Sequence, residues 1–479
     1  MLPAQTLLAL LIPLLAPLQL PTDAAPAPGG EPRPNVLFLS VDDLRPELGC
    51  YGESQALTPN IDRLSGGGVL FQSAYCNVPV CGPSRVSVLT GLRTRHDQWR
   101  SSDLAEDFVS LPASLKAAGY TTLANGKVLH HLDDLASDWS APPWRSREIY
   151  HGDEDWASYN AYGQWQSESS SAHVHPGSKR GPYCEAADVD DDAYQDGQVA
   201  ARTVADLRRL AESGEPFFLA AGFWRPHLPF NAPKRYWDLY DRDAIQLAEP
   251  RTRPDGLPSQ LRTSGEIDRY ALTGVRKGTD EFHAEARHAY LASVSYIDAC
   301  VGRVLDELDA LGLADNTIVV LWSDHGWNLG EAGFWGKHNT RERSLRVPLI
   351  VRAPGVGDAG GEASAGPRAV TTALVELVDL YPTLSELTGV PAPAHLVGTS
   401  LVPLLRDRGA RLHDAVFSTW VGCRAVRTEQ HLYTEWRRGE EVVARTLFDH
   451  ASDPDELFNL AETSEAAPLI ERLSGLFDD

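Results

Sequence analysis

Cysteine is sparse: the 479 residues hold six, at 50, 76, 81, 184, 300 and 423, and none falls in a CxxC spacing. A zinc ribbon is thereby excluded, and so is a dense disulfide framework, which belongs to short secreted chains. Positive charge is also short. Lys and Arg number 43 against 66 Asp and Glu, a formal net charge of −23. A surface that acidic repels nucleic acid and anionic membranes, so an anionic substrate needs a local basic pocket set against the overall field. No Asn-x-Ser/Thr sequon occurs, and nothing demands N-glycosylation. Beyond residue 20 no apolar run approaches the ~20 residues of a membrane span. The run Leu7–Leu20 is broken by Pro13 and Pro17, has no Lys or Arg before it, and leads into the small-residue stretch TDAAPAPGG. It reads as an export signal over residues 1–25, cleaved near Ala24 or Ala25. The expectation is a secreted or periplasmic protein without a membrane span.

What is present is ordinary globular composition, 43% apolar and 23% charged, and enough length for one large core plus a smaller companion. Asn35–Val41, Pro216–Gly222, Thr317–Trp322 and Val347–Val351 are continuous apolar runs bounded by turn signals. Such strands are buried on both faces, as in a mostly parallel sheet covered by helices. Between Glu285 and Leu311, residues Leu291, Val294, Ile297, Val301, Val304, Leu305 and Leu308 recur at helical steps. The pattern is α/β and doubly wound. Residues 137–190, rich in Trp, Ser, Asp and Gly, look like a long surface excursion, and 355–368 like a flexible loop. After about Pro391 short strands such as Ala425–Arg437 take over, with a last helix over Ala467–Phe477. We expect a main domain over 33–390 and a smaller C-terminal α+β subdomain over 391–479.

Two strands end in potential ligands. Asp42-Asp43 follows NVLFLSV, and Asp324-His325 follows TIVVLW. An isolated Asp-Asp is ordinarily a solvated turn. Two such pairs beyond the carboxyl ends of strands, where open α/β sheets bind ligands, make an oxygen-rich site with one imidazole, suited to calcium or magnesium. A third feature is Cys81-Gly82-Pro83-Ser84-Arg85, opening a helical stretch over Ser84–Leu92. Alone it would be a structural cysteine before a first-turn proline; a helix start also suits an anion.

The stretches NVLFLSVDDLRPELGCYG, TPNIDRL, CNVPVCGPSRVSVLTGLR, NGKVLHH, GFWRPHLPF, YLASVSYIDACVGRVLDEL and SDHGWNLGEAGFWGKH, in this order, resemble the type I (formylglycine) sulfatases of the alkaline-phosphatase superfamily, in particular the iduronate-2-sulfatase-like branch. The resemblance covers about 34–350 with good continuity and the C-terminal part more loosely. It implies the superfamily's large mostly parallel sheet covered by helices, and Ca2+ (Mg2+ as the second choice) bound by Asp42, Asp43, Asp324 and His325 with a modified Cys81. CGPSR matches the C-x-P-S-R signal at which a formylglycine-generating or anaerobic sulfatase-maturating enzyme converts Cys81 to formylglycine. Arg85 would hold that group, Lys127 and His130 would flank it, and His227 and Lys337 would grip the sulfate and help protonate the leaving oxygen. Lys127, His227 and Lys337 are thus the implied substrate contacts, with His131 and His338 as further candidates. The implied partner is a sulfated sugar, a glycosaminoglycan-like or marine polysaccharide fragment, handled by a monomer or homodimer.

A hydrated formylglycine carries two hydroxyls on one carbon: one attacks sulfur, and loss of the other's proton releases sulfate, an exit that serine lacks. Departures from the pattern fall on specificity. Relatives near iduronate-2-sulfatase tend to have histidine where Ala332 stands, and RTRHDQW and 137–190 also diverge. Two alternatives stay open: a phosphodiesterase or phosphonate hydrolase on the same scaffold, although no second-metal set is apparent, and a glycan-binding protein on an inactive sulfatase fold.

Overall fold

Asn35–Val41, buried at all seven positions, forms strand β1 of the computed structural model, which describes residues 33–146, 165–167, 170, 173–178, 180–272, 274–355 and 369–478. The strands that follow are β2 (Val69–Tyr75), β3 (Thr121–Gly126), β4 (Cys184–Ala187), β5 (Phe217–Phe223), β6 (Phe230–Pro233), β7 (Thr317–Ser323), β8 (Asn328–Leu329), β9 (Trp335–Gly336), β10 (Arg346–Arg352) and β11 (Ala369–Glu376). Seven of them make the main sheet, in the order β11-β2-β10-β7-β1-β5-β3. β1 pairs parallel with β5 and β7, β3 with β5, and β11 with β2. Only β10 runs against its neighbours in this sheet.

Alternation along β1 divides two cores. Leu37, Leu39 and Val41 join one apolar cluster, and Val36 and Phe38 the other. The helices Gln195–Ser213 and Asp280–Ala310 cover the first face through residues such as Leu207 and Ile297; Cys81–Thr90, Leu111–Ala117 and Leu380–Thr388 cover the second. Burial from both sides is why these strands read as unbroken apolar runs. The long helix starts at Asp280, five residues before the expected start at Glu285, because its first turn is set by a cap. Thr279 accepts a hydrogen bond from the Phe282 N–H, and Asp280 and Glu281 suit the helix dipole. The helix at the C-x-P-S-R signal likewise begins earlier, at Cys81, and closes at Thr90 before the left-handed Gly91.

Strands β12 (Ala415–Trp420), β13 (Cys423–Thr428), β14 (His431–Arg438) and β15 (Glu441–Asp449) form a separate antiparallel sheet. The helix Ala467–Gly475 packs on it through Leu473 against Val426, Tyr433 and Leu447. This is the α+β unit that the sequence led us to expect.

The surface reading of 137–190 is corrected where the segment is described. Trp139, Trp165 and Tyr183 are buried, and β4 pairs with β6. Anchoring aromatics spaced widely through a polar stretch leave its average composition loop-like. All of 147–164, the export segment 1–25 and residues 356–368 of the expected loop lie outside the described residues. All six cysteines are free thiols. Among the described residues no helix is long and apolar enough to cross a membrane.

Candidate active site

β1 and β7 run side by side with Val41 opposite Ser323, so the residues that follow, Asp42-Asp43 and Asp324-His325, emerge together at one sheet edge. The turn is fastened from several sides. The Asp43 N–H donates to Asp324 Oδ1 at 3.3 Å and the Leu44 N–H to Ser323 Oγ at 3.0 Å. Tyr290, from the long helix, donates its hydroxyl to the Asp43 carbonyl at 2.8 Å and accepts from the Arg45 N–H at 3.0 Å. Asp43 takes a left-handed φ of 58°, which aspartate tolerates better than most residues. Beneath the turn Arg45 pairs with Glu47 (3.2 Å) and Glu331 (2.8 Å), and Arg287 reaches both carboxylates.

Cys81 stands at the first residue of its helix, 3% exposed. Its Sγ and one ligand atom each from Asp42, Asp324 and His325 lie within 4.8 Å of one another, and Asp42, Asp43 and His227 form an overlapping group. Asp42 Oδ1, Asp43 Oδ2 and His325 Nε2 are buried without a hydrogen-bond partner, while Asp42 Oδ2 faces Lys127 and Arg85. His325 Nδ1 lies 3.0 Å from the Gly326 carbonyl, so it carries the hydrogen and Nε2 is the nitrogen that can offer a lone pair to a cation. Buried ligand atoms left unsatisfied around one point fit a hard divalent cation.

Three cationic side chains face the three carboxylates. Arg85, fully buried, donates from Nε to Asp324 Oδ2 at 2.8 Å and from Nη1 to Ser40 Oγ at 3.2 Å, the Val128 carbonyl at 3.3 Å and the Lys127 carbonyl, and its Nη2 lies 3.5 Å from Asp42. Lys127 pairs with Asp42. It arrives there because Gly126 has a left-handed φ of 76° and Gly222 has no Cβ, which would sit 2.1 Å from the Lys127 backbone. Lys337, which follows β9, donates to Asp43 at 2.7 Å.

This field acts unevenly. Burial pushes Asp42 up, yet Lys127, His227, Arg85 and Lys337 together outweigh it and hold the carboxyl well below its usual range. Asp43 is raised by burial and by the neighbouring carboxylates beyond what Lys337 offsets. Burial also pushes the Cys81 thiol up, but Lys127 and Lys337 outweigh it and bring it below its ordinary value. His130 Nδ1 lies 3.3 Å from Cys81 Sγ. Burial and the charge of Lys127 push His130 well down, which favours its neutral form.

Every site residue expected from the sequence therefore gathers at this edge. His227 comes from the turn after β5, with Nδ1 2.7 Å from the Leu228 carbonyl. His131 packs edge-on against His130, and His338 stacks on Trp420 of β12, with ring centroids 5.1 Å apart and planes at 11°. Ala332 lies elsewhere, in an apolar cluster with Leu261, Phe334, Cys423 and Trp436. Sequence reasoning missed Trp99, which packs on His130 and against Gly82, as well as Trp420 and Glu266, which contacts His227 and Lys337. Trp99 sits in RTRHDQW, already marked as divergent. Glu266 carries no local signal.

Residues 34–390 match the family profile described as "Sulfatase", and 330–478 that described as "N-sulphoglucosamine sulphohydrolase, C-terminal". The chain is 36% identical over 401 residues to iduronate 2-sulfatase of Mus musculus, covering 75% of this chain and 69% of that one. It is 32% identical over 469 residues to a sulfatase of Formosa agariphila, covering 93% and 86%. Among solved structures, the phosphonate monoester hydrolase of Silicibacter pomeroyi superposes with a TM-score of 0.72 at 23% identity, covering 93% of this chain and 94% of that one. BT4656 in complex with D-glucosamine-2-N,6-O-disulfate superposes with 0.70 at 21%, covering 93% and 97%. These two bear on the fold alone.

Proposed function

We propose, from the premise that this chain belongs to the sulfatase family and is a sulfuric ester hydrolase, that it removes sulfate from a sulfated carbohydrate of the glycosaminoglycan or polysaccharide kind. We further propose that it does so as a secreted or periplasmic enzyme, with formylglycine at position 81 and one calcium ion. The observation that carries the chemistry is Cys81 at a helix start, with its Sγ within 4.8 Å of ligand atoms of Asp42, Asp324 and His325. The carbohydrate class is supported by the relatives, one of which is an iduronate 2-sulfatase.

Asp42, Asp43, Asp324 and His325 would hold the cation, whose chemistry is to lower the pKa of a hydroxyl and offset anionic charge. The thiol sulfur occupies the place on Cβ that the oxygens of hydrated formylglycine would take. Around it, Arg85 fixes Asp42 and Asp324 through its fork of donors and stays ionised there, with both carboxylates outweighing its burial. Lys127 and Lys337 offer ammonium groups to a sulfate ester and to the charge that grows on the leaving oxygen. His227, beside Lys337, is placed to protonate that oxygen. His130, neutral and 3.3 Å from the Cys81 sulfur, is placed to take the proton whose loss releases sulfate. Main and C-terminal domains divided near 390 would both border the site, since Trp420 of β12 stacks on His338.

The test has two arms: peptide mass spectrometry at residue 81 on protein made beside a maturase, and release of sulfate from a panel of sulfated mono- and disaccharides measured against phosphodiesters and phosphonate monoesters. Unmodified Cys81 with full activity, or a strong preference for the phosphorus esters, would overturn the reading.

A further inference from the structure

Glu266 belongs to neither candidate metal group, yet it reaches into the same site. It precedes the short turn Ile267–Arg269. Its Oε1 lies 3.2 Å from His227 Nε2 and its Oε2 3.5 Å from Lys337 Nζ, with its side chain 12% exposed. Oε2 is buried without a hydrogen-bond partner. A carboxylate beside two groups meant for an anion works against binding by simple electrostatics, so its place there asks for another role.

Proton accounting on His227 supplies one. Nδ1 faces the Leu228 carbonyl at 2.7 Å; a carbonyl oxygen only accepts, so Nδ1 carries a hydrogen. Nε2 faces a carboxylate oxygen at 3.2 Å. Two lone pairs do not meet at that distance, so a proton lies between them. Burial pushes His227 down, and Lys337 and Lys127 push the same way. Glu266 itself is pushed up by burial, but Lys337 and His227 hold it well below the usual carboxylate range. Glu266 and Asp42 oppose the push on His227, and it is the 3.2 Å contact between Nε2 and a carboxylate oxygen that places a proton on this nitrogen.

We infer that Glu266 is a positioning residue: it holds a proton on His227 Nε2, and the Lys337 ammonium beside it, where the leaving alcohol oxygen departs. The inference rests on the hydrolysis proposed above. As the ester S–O bond breaks, its electron pair goes to the alcohol oxygen and the sulfuryl group passes to the nucleophilic oxygen at position 81. The alcohol oxygen takes the Nε2 proton, the N–H pair stays on nitrogen as neutral imidazole, and Glu266 remains a carboxylate. Water returns the proton after the alcohol leaves.

Leaving-group dependence tests this, because an acidic phenol departs without protonation and a weak one does not. In matured, calcium-loaded enzyme, Glu266→Gln keeps the shape but offers its amide N–H to Nε2, which then lacks its hydrogen. For phenyl sulfate, whose phenol has a pKa of ~10, kcat should fall on the order of 100-fold. For para-nitrophenyl sulfate it should fall only slightly, with KM little changed for both. Glu266→Asp should recover part of the phenyl sulfate loss. His227→Ala and His227→Ala/Glu266→Gln should show the same leaving-group dependence, as expected if Glu266 acts through the ring. Equal losses on both esters, a change in KM alone, or additive losses in the double variant would overturn the inference while leaving the enzyme a sulfatase. A wild type that cleaves no sulfate ester sinks the functional reading, and this inference with it.

Discussion

Arg85→Met is the substitution whose cost the geometry sets most directly. The guanidinium is fully buried and serves two carboxylates and the carbonyls of Lys127 and Val128 at once. A methionine fills much of the volume and returns none of the donors, so Asp324 loses its 2.8 Å partner and the cluster keeps a net carboxylate excess. Removing one member of a buried ion pair costs about 3–5 kcal/mol. An unfolding entropy of about 2.1 cal/mol/K per residue over 479 residues comes to ~1 kcal/mol/K. Tm should therefore fall by about 3–5 °C in metal-free protein.

Differential scanning calorimetry in chelator reads this directly. Arg85→Lys, which keeps the charge but loses the planar fork, should fall between the two. Calcium should raise the Tm of Arg85→Met more than that of wild type, since an uncompensated carboxylate then faces the cation. A metal-free Arg85→Met melting within about 1 °C of wild type would show that the guanidinium is not what balances the cluster.

Cys81→Ser should release at most one equivalent of alcohol per enzyme and then stop, with the sulfate left on residue 81; rapid-quench counting and intact mass check it, and steady turnover would refute it. Chelator should abolish turnover of matured enzyme, with Ca2+ restoring it better than Mg2+; at a hundred times Kd, calcium should add about 2.7 kcal/mol of stability, a rise of ~2–3 °C, and Asp43→Asn should lose most of that rise. Glu331 is pushed up by burial but held far below the usual range by Arg45, Arg343 and Arg287. A depressed carboxyl contributes stability that is fully present above the unfolded value of ~4.3 and is lost as pH falls below it; Glu331→Gln should flatten that part of the acid limb, and an unchanged acid limb by calorimetry would refute the assignment.

What was legible in the sequence follows from burial. β1, β5 and β7 announced themselves because both faces are covered, and the residues just past β1 and β7 announced the site because ligands collect at strand ends. The antiparallel direction of β10 was not legible, since a strand buried on both faces reads alike either way. The start of the long helix was hidden by a polar first turn that only the Thr279 cap defines. Glu266 was hidden for a deeper reason. Its partners lie 39 and 71 positions away in sequence, at His227 and Lys337, and nothing around it repeats at a helical or strand period.

The charge of the site separates its chemistry from its choice of sugar. Asp42, Asp43 and Asp324 face Arg85, Lys127 and Lys337, so the formal charges of these six side chains cancel without metal. A divalent cation then brings an excess of two positive charges. A sulfate monoester anion and a deprotonated hydroxyl at residue 81 would cancel that excess together, and neither would do so alone. On the proposed chemistry, cation, nucleophile and ester would therefore be thermodynamically linked, whatever alcohol the ester carries. Selection among alcohols has to come from groups outside this balance. The half-buried rings at hand are Trp99, His131, His338 and Trp420, and they come from a divergent loop, from the segments after β3 and β9, and from the C-terminal sheet. Substitutions there should move KM among sugars while leaving the response to calcium and the single equivalent released by Cys81→Ser as they were. A rim variant that changed the calcium response would break the separation, because it would place that ring inside the charge balance.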